Sequence, residues 1–387
     1  MACNSAPTAI GTAALVLISK AYGARDFSLV KKLLNQAFIL ASAAGVILGA
    51  VSIVLSPFIP VWMGAEESVC PQASRYFFII SLPLVFRSLS TVMGYSLRAV
   101  RNTKTPMIIS VISNGINIVL NYILIYVLEL GVDGAAAASA VSYTVSGILM
   151  MNACRKNECF RFKLKTTHSD KAILKEYLRL GAPVFGSSAV SCLGYVVFAS
   201  LVSGMGTTVF AAHSIAVTAE TIFYVPGYGL RSAASTLVGN ARGERSSHKL
   251  KETGKLSIAL TISVMCASGV VLYLGSTLLM SLFTPSERVI ELGSQMLKIV
   301  AFSEPFFGLM VVLEGIFYGL GRTKYAFFVE SFGMWAVRIL FTFLCVRVWG
   351  LALSAVWYCM IADNICKALM FAIPFMMKSK REKLFKV

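Results

Sequence analysis

IGTAALVLISKAYGARDFSLVKKLLN (residues 10–35) and LRSAASTLVGNARGERSSHKLKETGK (residues 230–255) are the two stretches that decide how this chain is organised. Aligned without gaps, Ala13, Ala14, Leu17, Ala21, Gly23, Arg25 and Lys31 match Ala233, Ala234, Leu237, Ala241, Gly243, Arg245 and Lys251. Identities spread over polar and apolar positions alike exceed what shared hydrophobicity gives. Farther on, Asn102-Thr103-Lys104 lines up with Arg322-Thr323-Lys324 at the same offset, and Pro83 meets Pro305 within two residues of it. The chain therefore reads as two halves repeated in parallel orientation.

Each half is built of membrane-crossing helices. Of 387 residues, 57% are hydrophobic and 14% charged, against about 25% charged in a soluble domain. Residues 33–65, 106–128, 134–154 and 256–286 contain no Asp, Glu, Lys or Arg, and roughly 20 apolar residues suffice to cross a bilayer core. Strands of a membrane barrel would be about 10 residues long and alternate in polarity, which these runs do not. Helical spans are expected at 7–20, 33–63, 75–98, 106–128, 133–153, 176–203, 208–238, 255–283, 290–320, 325–347 and 351–377. The loops between them alternate in charge. Basic residues gather at 20–32, 98–104, 155–175, 242–255, 322–324 and 378–386, and the intervening turns hold few. By the positive-inside rule the basic set is cytoplasmic, and so is the C-terminus. That distribution assigns the net charge of +17 to topology and argues against nucleic acid as a partner.

Eleven spans would put the N-terminus outside, and the repeat accounts for this. Met1 corresponds to Thr221, part-way through the second helix of the repeat. The expectation is an all-α membrane protein of two pseudo-symmetric six-helix lobes, the first lacking its first helix and part of its second. A signal peptide over residues 1–23 is the competing reading, but no Lys or Arg precedes its apolar run. The expected domains are an N-lobe at 1–153, a basic cytoplasmic linker at 154–175, a C-lobe at 176–377 and a basic tail at 378–387.

Acids inside apolar spans carry the chemical information, because an ionised group there must pair or face water. Glu220 shares a helix face with His213, Val217 and Tyr224. Pro226 and Gly227 are expected to interrupt that helix, and proline frees the carbonyl about four residues before it. A carboxylate beside such a carbonyl makes a cation or proton site; the alternative is a carboxyl held by its neighbours. Glu304, in Ser303-Glu304-Pro305, and Glu314 both fall in the span 290–320, about 80° apart around the helix. Glu330 and Arg338 are too far apart along one span to pair, so each is expected to pair across to another helix. Asp363 is an unexplained acid in the last span. In the first half Ser110, Asn114, Asn117 and Asn121 form a polar stripe, either interhelical glue or the wall of a wet pathway. Arg87 calls for a carboxylate partner or a watery cavity. The cysteines are scattered, the three histidines lack metal-ligand spacing, and no phosphate-binding loop precedes a Lys-Ser or Lys-Thr pair. No metal and no ATP-driven step is expected, so the energy for any transport comes from an ion gradient.

Residues 211–216 (AAHSIA), Glu220, 224–230 (YVPGYGL), 233–239 (AASTLVG) and Gly243 together resemble the multidrug and toxic compound extrusion (MATE) family. Residues 18–24 (ISKAYGA) and 321–324 (GRTK) are shorter matches in the same manner, and the resemblance runs over essentially the whole chain. It implies two six-helix lobes forming a V around a central cavity, and export of cationic or amphipathic compounds in exchange for H+ or Na+. In one branch an acid on the first helix is supported by polar residues on the fifth and sixth; Asn117, Asn121 and Ser139 match these, and other members carry Asp at Asn121. Another branch has Glu where this chain has Ser191, which argues against that coupling scheme. Glu220 and Glu304 are then the coupling candidates of the second half, with His213, Tyr224, Pro226, Arg87 and Glu314 as cavity or gating candidates.

The expected function is secondary active multidrug efflux by alternating access. The chain is expected to act as a multi-pass plasma-membrane monomer in the lipid bilayer, not as an enzyme, on small amphipathic or cationic molecules, without a cofactor beyond H+ or Na+. A lipid-linked oligosaccharide flippase, and an inactive fragment or structural membrane subunit, are the alternatives. A flippase should have more basic residues lining its cavity than the deep Arg87 and Arg338.

Overall fold

The computed structural model describes residues 2–62, 64, 66–160 and 170–376. Residues 161–169 of the expected linker, and the expected tail 378–387, lie outside the described residues. Those described form helices and turns, with no strand among them. Contacts divide the chain into two compact units, Met1–Ala182 and Pro183–Val387, meeting inside one helix. The expected C-lobe start at 176 lies within two turns of that division.

The first unit contains α1 (Ala2–Gly23), α2 (Phe27–Leu55), the short α3 (Ile59–Trp62), α4 (Cys70–Ser81), α5 (Leu84–Ala99), α6 (Lys104–Asn121) and α7 (Gly131–Lys156), and it ends in the start of α8 (Lys171–Ser203). A π-helical stretch, Tyr122–Val127, continues α6. α5 is the centre, packed against α1, α2 and α7. Small residues make that approach possible, as lipid supplies no hydrophobic drive between helices. A Cβ on Gly147 would stand 2.6 Å from the Phe86 carbonyl oxygen, and one on Gly45 would stand 2.6 Å from the Val85 Cα. Hydroxyls add to it: Ser88 donates to the Ala41 carbonyl (2.8 Å) and Ser142 to that of Ser113 (2.6 Å). Tyr177 ties the start of α8 to α2 by donating to the Leu33 carbonyl at 2.9 Å.

The second unit holds the rest of α8, then α9 (Thr207–Gly243), α10 (Ser247–Phe283), α11 (Glu287–Ala301), α12 (Glu304–Gly319), α13 (Thr323–Phe332), the four-residue α14 (Leu340–Phe343) and α15 (Leu353–Met376). π-helical stretches at Gly333–Ile339 and Leu344–Val348 flank α14. α12 is the centre, packed against α9, α10 and α15 and buried along almost its whole length. Gly315 and Gly319 let it touch α9: added Cβ atoms would stand 2.5 Å from the Arg231 and 2.6 Å from the Ser235 carbonyl oxygens.

The repeat read from sequence reappears as geometry at the same offset of 220 residues. α1 and α9 end in the same turn, with Arg25 and Arg245 in the left-handed region (φ 59° and 54°). The amide of Asp26 bonds the Ala21 carbonyl, and that of Ser246 bonds the Ala241 carbonyl, the reach-back of a Schellman end. Asp26 and Ser246 then cap the next helix, accepting from the amides of Leu29 and Lys249. α5 and α12 begin and end at equivalent residues, 84–99 and 304–319. Gly49 packs on the Ser81 carbonyl and Leu84, as Gly269 does on the Ala301 carbonyl and Glu304.

Eight helices are each long and apolar enough to cross a membrane, and two bent pairs raise the count among the described residues to ten. The expected spans 75–98 and 290–320 are these pairs, not single helices: α4 and α5 meet at 48°, α11 and α12 at 56°. Pro83 stands at the first break and Pro305 just after the second, each removing a backbone donor. The expected span 7–20 lies inside α1, a helix of 22 residues that carries Asn4, Ser5, Thr8, Thr12 and Lys20 among its apolar side chains. The expected interruption at Pro226-Gly227 does not occur, since α9 runs through both.

Candidate functional site

α9 and α12 bring two of the predicted acids together. Glu220 is buried on α9 and accepts the hydroxyl hydrogen of Tyr224, one turn on. The Tyr224 ring stacks on Phe307 of α12, with centroids 3.9 Å apart. Phe307 lies one turn beyond Glu304, whose carboxyl is within electrostatic reach of Glu220 and Tyr224. The break between α11 and α12 leaves Glu304 in the first turn of a helix, where the amide dipoles favour negative charge. Gly269 of α10 closes against it, 3.3 Å separating an added Cβ from that of Glu304. Among the described residues, neither carboxyl oxygen of Glu304 nor the Ser303 hydroxyl, all buried, has a hydrogen-bond partner. An ionised carboxylate in that state costs several kcal/mol. A proton or a small cation removes the cost, so the group has the chemistry of an ion site.

Glu314 belongs to a second centre about 15 Å farther along α12 at 1.5 Å per residue. It accepts from Arg231 Nη1 (2.7 Å) and from the Tyr318 hydroxyl (2.5 Å). The Arg231 guanidinium lies 4.9 Å from the centroid of the Tyr228 ring. Tyr228 in turn meets Phe307 edge-on at 5.8 Å. An aromatic strip thus joins the two acidic centres.

A third group is an ion-pair network within the second unit. Arg338 Nε reaches Asp363 at 2.9 Å, and Lys367 Nζ reaches Glu330 at 3.0 Å and Asp363 at 3.2 Å. Glu330 and Arg338 do pair across to another helix, α15, and Asp363 is explained by its two cations. Eight residues apart, they would be about 80° out of line on an ideal α-helix. The π-helical stretch from Gly333 adds a residue per turn and draws them toward one face. Gly333 has no side chain where Asp363 and Lys367 press against the backbone. His213 borders this network without joining it: its ring lies against Trp357 (5.7 Å) and Phe198 (5.6 Å), and the Arg338 guanidinium is 5.9 Å from the same Phe198 ring. Pro226 is exposed on α9, and near it Ser268 of α10 donates to the Phe223 carbonyl at 3.2 Å.

In the first unit Asn121 donates to Asn117 at 3.1 Å, and both are half-buried; Ser110 and Asn114 of the same stripe are exposed. α6 and α7 run antiparallel, with Ser142 bonded opposite Ser113. One turn along each, that register brings Ser139 to the level of Asn117. The Arg87 guanidinium sits 4.5 Å from the centroid of the Tyr143 ring, a partner the sequence did not point to. Cation–π contact of this kind contributes about 0.5–2 kcal/mol.

The family model described as MatE matches residues 4–123 and 183–344. The chain belongs to the MatE family. Among relatives of this MatE chain is the "Probable multidrug resistance protein NorM" of Thermotoga maritima, 27% identical over 374 residues, 96% of this chain and 80% of the relative. The "Multidrug export protein MepA" of Staphylococcus haemolyticus is 24% identical over 94% of this chain and 80% of its own length. A solved structure described as the outward-facing conformation of a multidrug resistance MATE family transporter superposes with a TM-score of 0.92. It is 21% identical and covers 99% of this chain and 85% of that one. A MOP superfamily transporter from Pyrococcus furiosus gives 0.91 at 22% identity. At such identities the structures establish the fold, a multi-pass bundle of membrane helices.

Two basic residues of the MatE chain escaped sequence reasoning. Lys367 stands four residues after Asp363 in an apolar span, a pairing interval on any helix, and that signal was readable. Arg231 was counted only as part of a motif; its partner Glu314 is 83 residues away, and nothing local points to it. With them, the deep cations are not limited to Arg87 and Arg338, but Arg231 and Lys367 are both ion-paired.

Proposed function

We propose that this MatE chain is a secondary active multidrug exporter of the plasma membrane, exchanging cationic or amphipathic small molecules for H+ or Na+. Glu220, Tyr224 and Glu304 form its ion site. The observation that carries the reading is the Glu304 carboxyl, buried at a helix break beside a second acid with neither oxygen partnered among the described residues. Ion binding there favours one arrangement of the helices and substrate binding the other. Coupling requires that each ligand have unequal affinity for the two states. The family names of the relatives support efflux, and an ion gradient is the energy source consistent with a chain that has no nucleotide loop. The extra basic groups do not favour a flippase, because their charge is spent on neighbouring carboxylates.

The test is dye efflux from energised cells carrying wild type, Glu220→Gln or Glu304→Gln at matched membrane levels. Gradient-driven efflux should fall at least tenfold in Glu304→Gln and clearly in Glu220→Gln. Efflux at the wild-type rate in both variants would remove the pair from the mechanism. Replacing Na+ by choline at fixed pH, and collapsing the pH gradient at fixed Na+, separates the two ions.

A further inference from the structure

Arg231 and Arg338 are both paired with acids, yet their settings differ. Arg338 is closed in, with 8% of its side chain exposed, and its partner Asp363 is fully buried. Arg231 keeps 28% of its side chain exposed over a buried Glu314, and the ring beneath its guanidinium, Tyr228, is 44% exposed. The stem of Arg231 is fixed, since the Arg231 carbonyl oxygen and Cγ lie 2.5 and 2.9 Å from where a Gly315 Cβ would be. The head lies against a carboxylate oxygen and a ring face, and part of the side chain stays exposed. A planar, delocalised cation lying on an aromatic face and bonded to a buried carboxylate is also how a flat organic cation is recognised. Take the guanidinium away and, among the described residues, Glu314 keeps the Tyr318 hydroxyl, beside the aromatic strip of Tyr228 and Phe307 that leads to Glu304.

We propose that the Arg231 guanidinium is a resident stand-in for the cationic group of the exported compound, filling a substrate subsite formed by Glu314 and the Tyr228 ring. This rests on the export reading above and adds where the cargo's charge sits. A planar monocation enters by displacing the guanidinium outward, while the stem stays packed on α12. Return of the guanidinium then expels the cargo without leaving a bare carboxylate behind. The subsite is separate from the Glu220 and Glu304 ion site, so ion and cargo do not compete for one carboxylate.

The test uses the full-length purified protein, with ethidium as the planar monocation and Nile red as an uncharged control, both read by fluorescence. Arg231→Gln should bind ethidium at least tenfold more tightly than wild type, with Nile red unchanged, and adding Glu314→Gln should cancel the gain. Unchanged or weaker ethidium binding in Arg231→Gln overturns the proposal. Should that variant fail to fold, the wild type decides. Saturating ethidium should speed phenylglyoxal modification of Arg231, followed by peptide mass, and a rate that is unchanged or slowed overturns the proposal. If wild type neither binds ethidium nor exports any cationic dye, the export reading fails and this one with it. If it does both and Arg231→Gln gains nothing, only the stand-in falls.

Discussion

Glu304 is unusual because of one residue-level difference between equivalent positions. Its counterpart in the first unit is Leu84, held against Gly49 by the same backbone contact that holds Glu304 against Gly269. The repeat supplies the niche, and the carboxyl alone makes it chemical. Tyr224 is the other half of that site through its bond to Glu220. A hydrogen bond to a charged group contributes about 1.5–3 kcal/mol, and about 1.4 kcal/mol is tenfold. Tyr224→Phe should therefore slow gradient-driven efflux roughly tenfold while ungated dye binding stays within twofold; equal rates would show that the hydroxyl is incidental. Lys367 has a structural part instead. Lys367→Met leaves Glu330 without its cation, and breaking a buried pair costs about 3–5 kcal/mol. A large fall in thermal unfolding temperature in detergent is expected, and an unaltered one would mean that the pair contributes nothing. The acids in the spans were legible as sites because charge is rare there. Their partners were not, because pairing depends on which helices touch and on a π-helical stretch that changes which side chains share a face.

At the scale of the element, proline shows how far sequence carries. Pro83 and Pro305 sit at breaks, whereas Pro183, Pro226 and Pro374 lie inside helices that continue past them. The residue is the same, so proline by itself does not decide where a helix breaks. Hydropathy therefore gave the spans and missed the two bends. Packing of α12 on α9 depends on Gly315, where any side chain meets the Arg231 backbone. Overpacking typically costs about 1–3 kcal/mol, so Gly315→Val should lower the unfolding temperature, while Gly115→Val, which meets nothing within 4 Å, should lower it far less. Equal effects would mean that intrinsic helix propensity, not the helix contact, sets the loss.

For the whole molecule, the two units share turns, caps, breaks and π-helical continuations, yet their buried charges do not repeat. Arg231, Glu304, Glu314 and Lys367 fall opposite Gly11, Leu84, Gly94 and Gly147. The backbone plan is common and the chemistry is concentrated in the second unit. This is why the repeat could be read from identities around 10–35 and 230–255 while the site could not be transferred from one half to the other. Topology is testable at the same scale. In a background free of native cysteines, a membrane-impermeant maleimide added to intact cells should label Ser286→Cys and spare Ser247→Cys. Both positions are exposed, and the reverse pattern would invert the orientation drawn from the basic loops.

The pairing of Arg231 with Glu314 also has a consequence for how the chain is made. α9 leaves the ribosome 83 residues before its partner acid. At roughly 5–20 residues per second, that is a delay of about 4–17 s. Throughout it, a helix carrying an arginine and a glutamate at mid-length has to reside at the insertion machinery or in the bilayer with neither the acid nor the ring stack of α12 in place. α11 adds Glu287, Arg288, Glu291 and Lys298 and is poorly suited to enter lipid alone, so it depends on α12 following directly behind it. Biogenesis of the second unit is thus gated by the arrival of one buried helix, and a ribosomal pause placed between α10 and α12 would lengthen the most exposed moment in the life of the protein.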